Sequence, residues 1–172
     1  MKFLTLSEKQ ITAVDSYNNL QKNHILISIA DPNHKVELPT TKYRRATLKL
    51  EFEDTEKVSF DSFNIDLARE ILDFVDKNLD EAEMIVVHDD RGIERSVGVA
   101  AALSKILNHR DDEVYSRGIP NMLSYIIILD TYFSEKHINN WNNIFYVREK
   151  ALQQNLDPMT YKIWKMKLEG NK

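Results

Sequence analysis

A short apolar strand, a tight loop and a buried helix follow one another directly in residues 84–107. This succession constrains the fold more than any other feature of the chain. The run Met84-Ile85-Val86-Val87 is continuous and rich in β-branched residues, as expected of a central strand that is covered on both faces. From Arg95 to Leu107 the residues are apolar nearly all round, which predicts a buried helix. A strand and a helix of this kind require further layers around them.

The rest of the sequence supplies those layers as alternating strands and helices. Apolar runs predict strands at residues 3–6, 24–29 and 43–52, and residues 62–79 place apolar side chains at the spacing of a helix laid on a core. Two further helices are predicted, one from the N-cap Ser7 through about Asn18 and one after Pro120. We therefore predict an α/β fold with a central, mostly parallel sheet of four or five strands, flanked by helices.

The chain has 172 residues, enough for one domain with a full-sized core, and it shows no internal repeat or linker. We predict one domain over residues 1–134 and a C-terminal helical extension over residues 135–172. Its apolar and aromatic spacing, together with Asp157-Pro158, predicts a helical hairpin packed on the domain. The alternative is that its aromatic residues form an exposed surface for a partner.

The loop between the strand and the buried helix has the geometry of an anion site. Unpaired backbone N–H groups and the dipole of the following helix both favour a negative charge at such a loop. The loop and its flanks are His88, Asp89, Asp90, Arg91, Gly92, Ile93, Glu94, Arg95 and Ser96.

This segment resembles the signature of the cysteine-dependent protein tyrosine and dual-specificity phosphatases. In that family a strand ends in His-Cys, five residues follow, and Arg-Ser opens a helix. His88, Gly92, Arg95 and Ser96 match in identity and spacing. The resemblance covers roughly residues 1–134, is similar to compact bacterial and phage members, and implies the phosphatase-like phosphate-loop fold.

The resemblance also implies a role for each matching residue. Arg95 would clamp two phosphate oxygens in a bidentate fork, and Ser96 would support the leaving thiolate. His88 would sit behind the loop and hydrogen-bond to it. Asp54 lies where small members carry the acid-bearing loop, so it is the candidate general acid.

The chain departs from the family at its nucleophile, because it contains no cysteine and has Asp89 at that position. A carboxylate is already ionised at neutral pH and is a weak nucleophile. We expect Asp89 to supply the loop with its own negative charge, either by accepting backbone N–H bonds or by pairing with Arg95. Asp90 and Glu94 add further acid, which Arg91 offsets in part. The sequence therefore predicts a degenerate phosphate loop.

Three hypotheses follow for the function. The first is a pseudophosphatase that acts by binding a protein or an anionic ligand. The second is a hydrolase of phosphotyrosine, phosphoserine or a small phosphate ester, with Asp89 forming an aspartyl-phosphate. The third is that the natural protein carries a cysteine here and Asp89 was introduced to disable it.

Composition limits the partners. The net charge is −4, which argues against a protein that neutralises many phosphates of duplex nucleic acid. No apolar run approaches the length of a membrane span, and the first residues do not form a secretory signal. We expect no membrane partner, no metal site, no cofactor and a cytoplasmic location. The partner would be a protein or a phosphorylated ligand, and the sequence leaves the oligomeric state open.

Overall fold

A computed structural model describes residues 1–13 and 20–135, and these form a four-stranded parallel sheet flanked by helices. The strands are β1 (Lys2–Ser7), β2 (His24–Ala30), β3 (Arg44–Glu51) and β4 (Met84–Asp89). Their order across the sheet is β1-β4-β2-β3, and every neighbouring pair is parallel. The predicted α/β fold is confirmed, with four strands.

The helices are α1 (Glu8–Thr12), α2 (Ile65–Asn78), α3 (Arg95–Asn108), α4 (Asp112–Tyr115) and α5 (Met122–Glu135), with a short 3₁₀ turn at Leu79–Glu81. Ser7 caps α1 as predicted, through a capping box with Gln10. The helix predicted through about Asn18 is not continuous, because α1 ends at Thr12 and Ala13 adopts an extended conformation; residues 14–18 lie outside the described residues.

The sheet separates two apolar clusters, because alternate residues of a strand point to opposite faces. Helices α2, α3 and α5 cover one face with the larger cluster, whose members include Ile25, Ile27, Ile71, Val75, Ile85, Val87, Val99, Leu103 and Ile128. The other face carries a smaller cluster of Ile11, Leu20, Leu26, Met84 and Val86. The central strands β2 and β4 are buried along their whole length, as the apolar run at residues 84–87 indicates.

The C-terminal hairpin predicted for residues 135–172 lies, beyond Glu135, outside the described residues. Among the helices that the structure does describe, none combines the length and the apolar character that a membrane crossing requires.

Because all four strands are parallel, their carboxyl ends meet at one edge of the sheet. The loop after β4 lies at this edge, next to the ends of β1 and β2. This edge is where the structure places the predicted site.

Candidate functional site

The strand β4 continues two residues beyond its apolar run and ends at Asp89. In the sheet register Asp89 pairs with Ser7, the last residue of β1. The main-chain carbonyl of Asp90 then accepts a hydrogen bond from the N–H of Glu8 at 3.1 Å. The loop is therefore fastened at its first residue to the start of α1.

Gly92 allows the loop to turn back against β1. Its φ of +77° lies in the left-handed region, where side chains are disfavoured. A Cβ at this position would lie 2.4 Å from the backbone N of Ser7 and 2.5 Å from the carbonyl carbon of Leu6. Only glycine fits this contact without a shift of the backbone.

The Asp89 carboxylate fills the loop from the inside. Its Oδ1 accepts a hydrogen bond from the backbone N–H of Gly92, and its Oδ2 accepts one from the backbone N–H of Ser96 at 2.8 Å. The residue is only 2% exposed. Asp89 was expected either to accept backbone N–H bonds or to pair with Arg95, and the structure shows the backbone N–H bonds. The carboxylate lies against the first turn of α3, where the helix dipole favours an anion.

Arg95, the predicted phosphate clamp, is buried, and its partners lie in the segments that directly follow β2 and β3. Its Nη1 donates to the Asp31 carboxylate at 2.6 Å and to the main-chain carbonyl of Phe52 at 2.7 Å. The centroid of the Phe52 ring lies 5.9 Å from the guanidinium carbon of Arg95. The Nε of Arg95 has no hydrogen-bond partner among the described residues.

Arg91 is likewise paired with carboxylates. It forms an ion pair with Glu94 in its own loop and lies 3.8 Å from the Oδ2 of Asp54. Asp54 also accepts a hydrogen bond from the side-chain amide of Asn121 at 3.0 Å. The structure thus brings the candidate acid to the loop, where a hydrogen bond with Asp54, together with burial, raises the pKa of Glu94.

These side chains surround a cavity of about 240 Å³ beside the loop. Its lining combines three carboxylates with one arginine and two apolar residues. The members are Asp54, Thr55, Glu56, Arg91, Glu94, Ile119, Pro120 and Asn121.

His88 lies behind the loop and is fully buried. Its Nε2 shares a 2.7 Å hydrogen bond with the hydroxyl of Ser28 on β2. Burial lowers the pKa of His88 to about 4, although the backbone and carboxylate of Asp89 act in the opposite direction. The neutral imidazole therefore joins β4 to β2, so this hydrogen bond goes to the neighbouring strand and not, as the resemblance had implied, to the loop.

The remaining loop residues divide between the interior and the surface. Ser96 is buried, and its Oγ has no partner among the described residues. The side chains of Asp90 and Ile93 are exposed. The main-chain carbonyl of Ile93 accepts a hydrogen bond from the N–H of Ile119 at 2.8 Å. Within residues 1–13 and 20–135, no group of three or more His, Asp or Glu side chains is arranged to hold a metal ion.

Two residues of this site were not singled out by the sequence. Asp31 follows β2 at the start of an Asp-Pro-Asn segment, whose residues are typical of a turn and do not indicate a site. Asn121 begins the segment that leads into α5, and no local pattern indicates that it would bind Asp54. Asp31 could have been placed near the loop from the strand order, because β2 lies next to β4 and the two parallel strands end at the same edge of the sheet.

The fold is that of the dual-specificity phosphatases. The structure of human DUSP28 superposes with a TM-score of 0.58 at 11% identity, covering 78% of this chain and 94% of that one. A human tyrosine phosphatase-like serine/threonine/tyrosine-interacting protein gives 0.57 at 16% identity, covering 78% and 93%. DUSP15 gives 0.55 at 16% identity, covering 90% and 92%. No family model and no curated protein matches the sequence.

Proposed function

We propose that this chain is a phosphatase-fold protein that does not hydrolyse phosphate esters and acts by binding a protein partner. The observation that carries the proposal is the position of the Asp89 carboxylate. It accepts the backbone N–H groups of Gly92 and Ser96 inside the loop, where the fold's enzymes bind the phosphate of a substrate.

A carboxylate at this position opposes both binding and chemistry. Two unit negative charges about 4 Å apart repel by on the order of 4 kcal/mol at an effective dielectric near 20, which is about a thousandfold in affinity. A phosphate dianion would also have to displace Asp89 from its two N–H donors. Attack by the carboxylate would require the same displacement before a bond to phosphorus could form.

The two arginines of the loop do not compensate for this charge. Arg95 is paired with Asp31, and Arg91 is paired with Glu94 and lies near Asp54. Each cation is therefore matched by a carboxylate before any ligand arrives. A loop arranged in this way holds its own anion and has no net attraction for a second one.

The surface beside the loop suits a protein partner better than a phosphorylated ligand. Ile119 is 74% exposed, and the neighbouring Ile93 is 38% exposed. Exposed aliphatic side chains that adjoin one another are typical of contact surfaces between proteins. One neighbour in fold is itself named as a phosphatase-like interacting protein, which supports a binding role at the level of the fold.

The test measures hydrolysis and anion binding with the full-length chain. We expect no turnover of p-nitrophenyl phosphate or a phosphotyrosine peptide above the blank, and no calorimetric binding of tungstate at millimolar concentration. Asp89→Ser removes the carboxylate and leaves space, so it should bind tungstate. The matched control is Asp76→Ser, an exposed aspartate on α2, which should behave as the unaltered chain.

Measurable turnover that Asp89→Ala abolishes would overturn the proposal and would support the aspartyl-phosphate hypothesis. In that case beryllofluoride with magnesium should trap the Asp89 adduct in the unaltered chain. Tungstate binding by the unaltered chain, as tight as that of Asp89→Ser, would also overturn the proposal.

A further inference from the structure

The turn after β2 places one carboxylate above the loop. Asp31 is followed by Pro32 and Asn33, and the N–H of His34 donates to the carbonyl of Asp31 at 2.9 Å. Asn33 has a φ of +68°, so the turn has the proline and the left-handed residue of a type II turn. The sequence Asp-Pro-Asn therefore sets the path of the backbone at Asp31.

Two side chains hold this turn in place. The N–H of Asn33 donates to the carboxylate of Glu51 at the end of β3, at 3.2 Å. The ring of His34 lies 2.8 Å from the carboxylate of Glu8, the first residue of α1. The turn is thus tied to the sheet on one side and, on the other, to the helix that fastens the phosphate loop.

The Asp31 carboxylate meets the buried guanidinium of Arg95. The Oδ1 of Asp31 lies 2.6 Å from Nη1, and the Arg95 side chain is only 4% exposed while that of Asp31 is 61% exposed. Asp31 therefore approaches the arginine from the solvent side. Its charge offsets that of the buried Arg95 guanidinium, whereas the Phe52 carbonyl contributes only a dipole.

We propose that Asp31 is a second anion lock, by which we mean a carboxylate that keeps an external anion out of the phosphate loop. It is a positioning residue that neutralises Arg95 independently of Asp89. This inference rests on the proposed function, in which the loop holds its own charge and excludes a phosphate. It assigns the exclusion to two carboxylates, one inside the loop and one on the turn after β2. Removing Asp89 opens the space, and removing Asp31 releases the charge of Arg95.

The experiment measures tungstate affinity by calorimetry in full-length variants. Asp89→Ser should bind the anion, and the double variant Asp89→Ser with Asp31→Asn should bind about fivefold to tenfold more tightly, because one opposing charge near the site is gone. Asp31→Asn alone should bind no better than the unaltered chain. The double variant with Asp31→Glu should return to the affinity of Asp89→Ser, since glutamate restores the charge.

The matched control is Asp66→Asn in the Asp89→Ser background. Asp66 also pairs with an arginine, Arg69, but on the exposed surface of α2. The control should leave tungstate affinity within about twofold. A merely structural role for Asp31 predicts looser binding on its removal, whereas the lock predicts tighter binding, so the sign of the change separates the two.

Equal or weaker binding by the double variant with Asp31→Asn, or the same gain in the Asp66 control, would overturn the Asp31 proposal. These outcomes leave the role of Asp89 intact if Asp89→Ser still binds tungstate. Tight binding by the unaltered chain would instead count against the proposed function. The two failures are therefore distinguishable in one set of titrations.

Discussion

The Oδ2 of Asp89 lies 2.8 Å from the backbone N of Ser96, so the side chain at the end of β4 accepts a hydrogen bond from the first turn of α3. Its Oδ1 accepts a second bond from Gly92. Through these two bonds a single carboxylate closes the loop on itself.

Loss of the Asp89 carboxylate should destabilise the fold. Asp89→Ala leaves two buried backbone N–H groups without an acceptor, and we expect the free energy of unfolding to fall by about 2 kcal/mol. Urea denaturation measures the change. Asp90→Ala, which removes the same charge from the exposed neighbouring position, should change stability by less than about 0.5 kcal/mol. Equal effects at the two positions would show that the carboxylate does not hold the loop.

The burial of His88 should make the stability depend on pH. Its pKa is about 4 in the fold, below the ordinary value near 6.5, so folding favours the neutral ring. Its contribution is fully present above about pH 6.5 and is lost as the pH falls towards 4, by about 3 kcal/mol in total. His88→Gln should flatten this part of the stability profile in urea denaturation series.

One comparison and one control variant separate the contribution of His88 from those of other groups. Burial also lowers the pKa of His24, which contributes in the same direction and remains in both proteins. The comparison is therefore the difference between the unaltered chain and His88→Gln. The matched control is His109→Asn, which replaces an exposed histidine at a position with a φ of +59°, and its profile is compared with that of His88→Gln. A profile that is equally steep with and without His88 would contradict the assignment.

The close contact of the loop with β1 should make Gly92 intolerant of a side chain. In Gly92→Ala the Cβ meets backbone atoms of Leu6 and Ser7, which cannot move as a side chain can, and the positive φ adds strain. We expect a loss of about 2 to 4 kcal/mol in unfolding free energy. His109→Gly, at a left-handed position just past the end of α3, should be neutral or slightly stabilising. Equal changes in the thermal stability of Gly92→Ala and His109→Gly would count against this contact.

The sequence was sufficient for the sheet, the loop and the place of Asp89, because these depend on patterns within one continuous segment. The apolar run at residues 84–87 and the spacing of His88, Arg95 and Ser96 were local signals. The partner of Arg95 was not predictable in this way, since Asp31 lies 64 residues away and is joined to it only through the strand order. The contact between Asn121 and Asp54 spans 67 residues and carried no local signal either.

The last prediction concerns the nucleophile. Asp89→Cys supplies the thiol that the fold's enzymes use, but Arg95 stays paired with Asp31, and Asp54 stays bonded to Asn121. We therefore expect Asp89→Cys alone to hydrolyse p-nitrophenyl phosphate close to the blank rate, and Asp31→Asn in the same chain to raise that rate. Initial rates with and without orthovanadate measure this, and Asp76→Cys controls for a thiol placed elsewhere.

Turnover by Asp89→Cys of about 1 s⁻¹ or faster, within the ordinary range of enzymes, would show that Arg95 and Asp54 are already positioned for catalysis. That result would favour the hypothesis that a cysteine is the natural residue at position 89. If Asp89→Cys is slow and Asp31→Asn raises its rate, then both Asp89 and Asp31 act as anion locks on the loop.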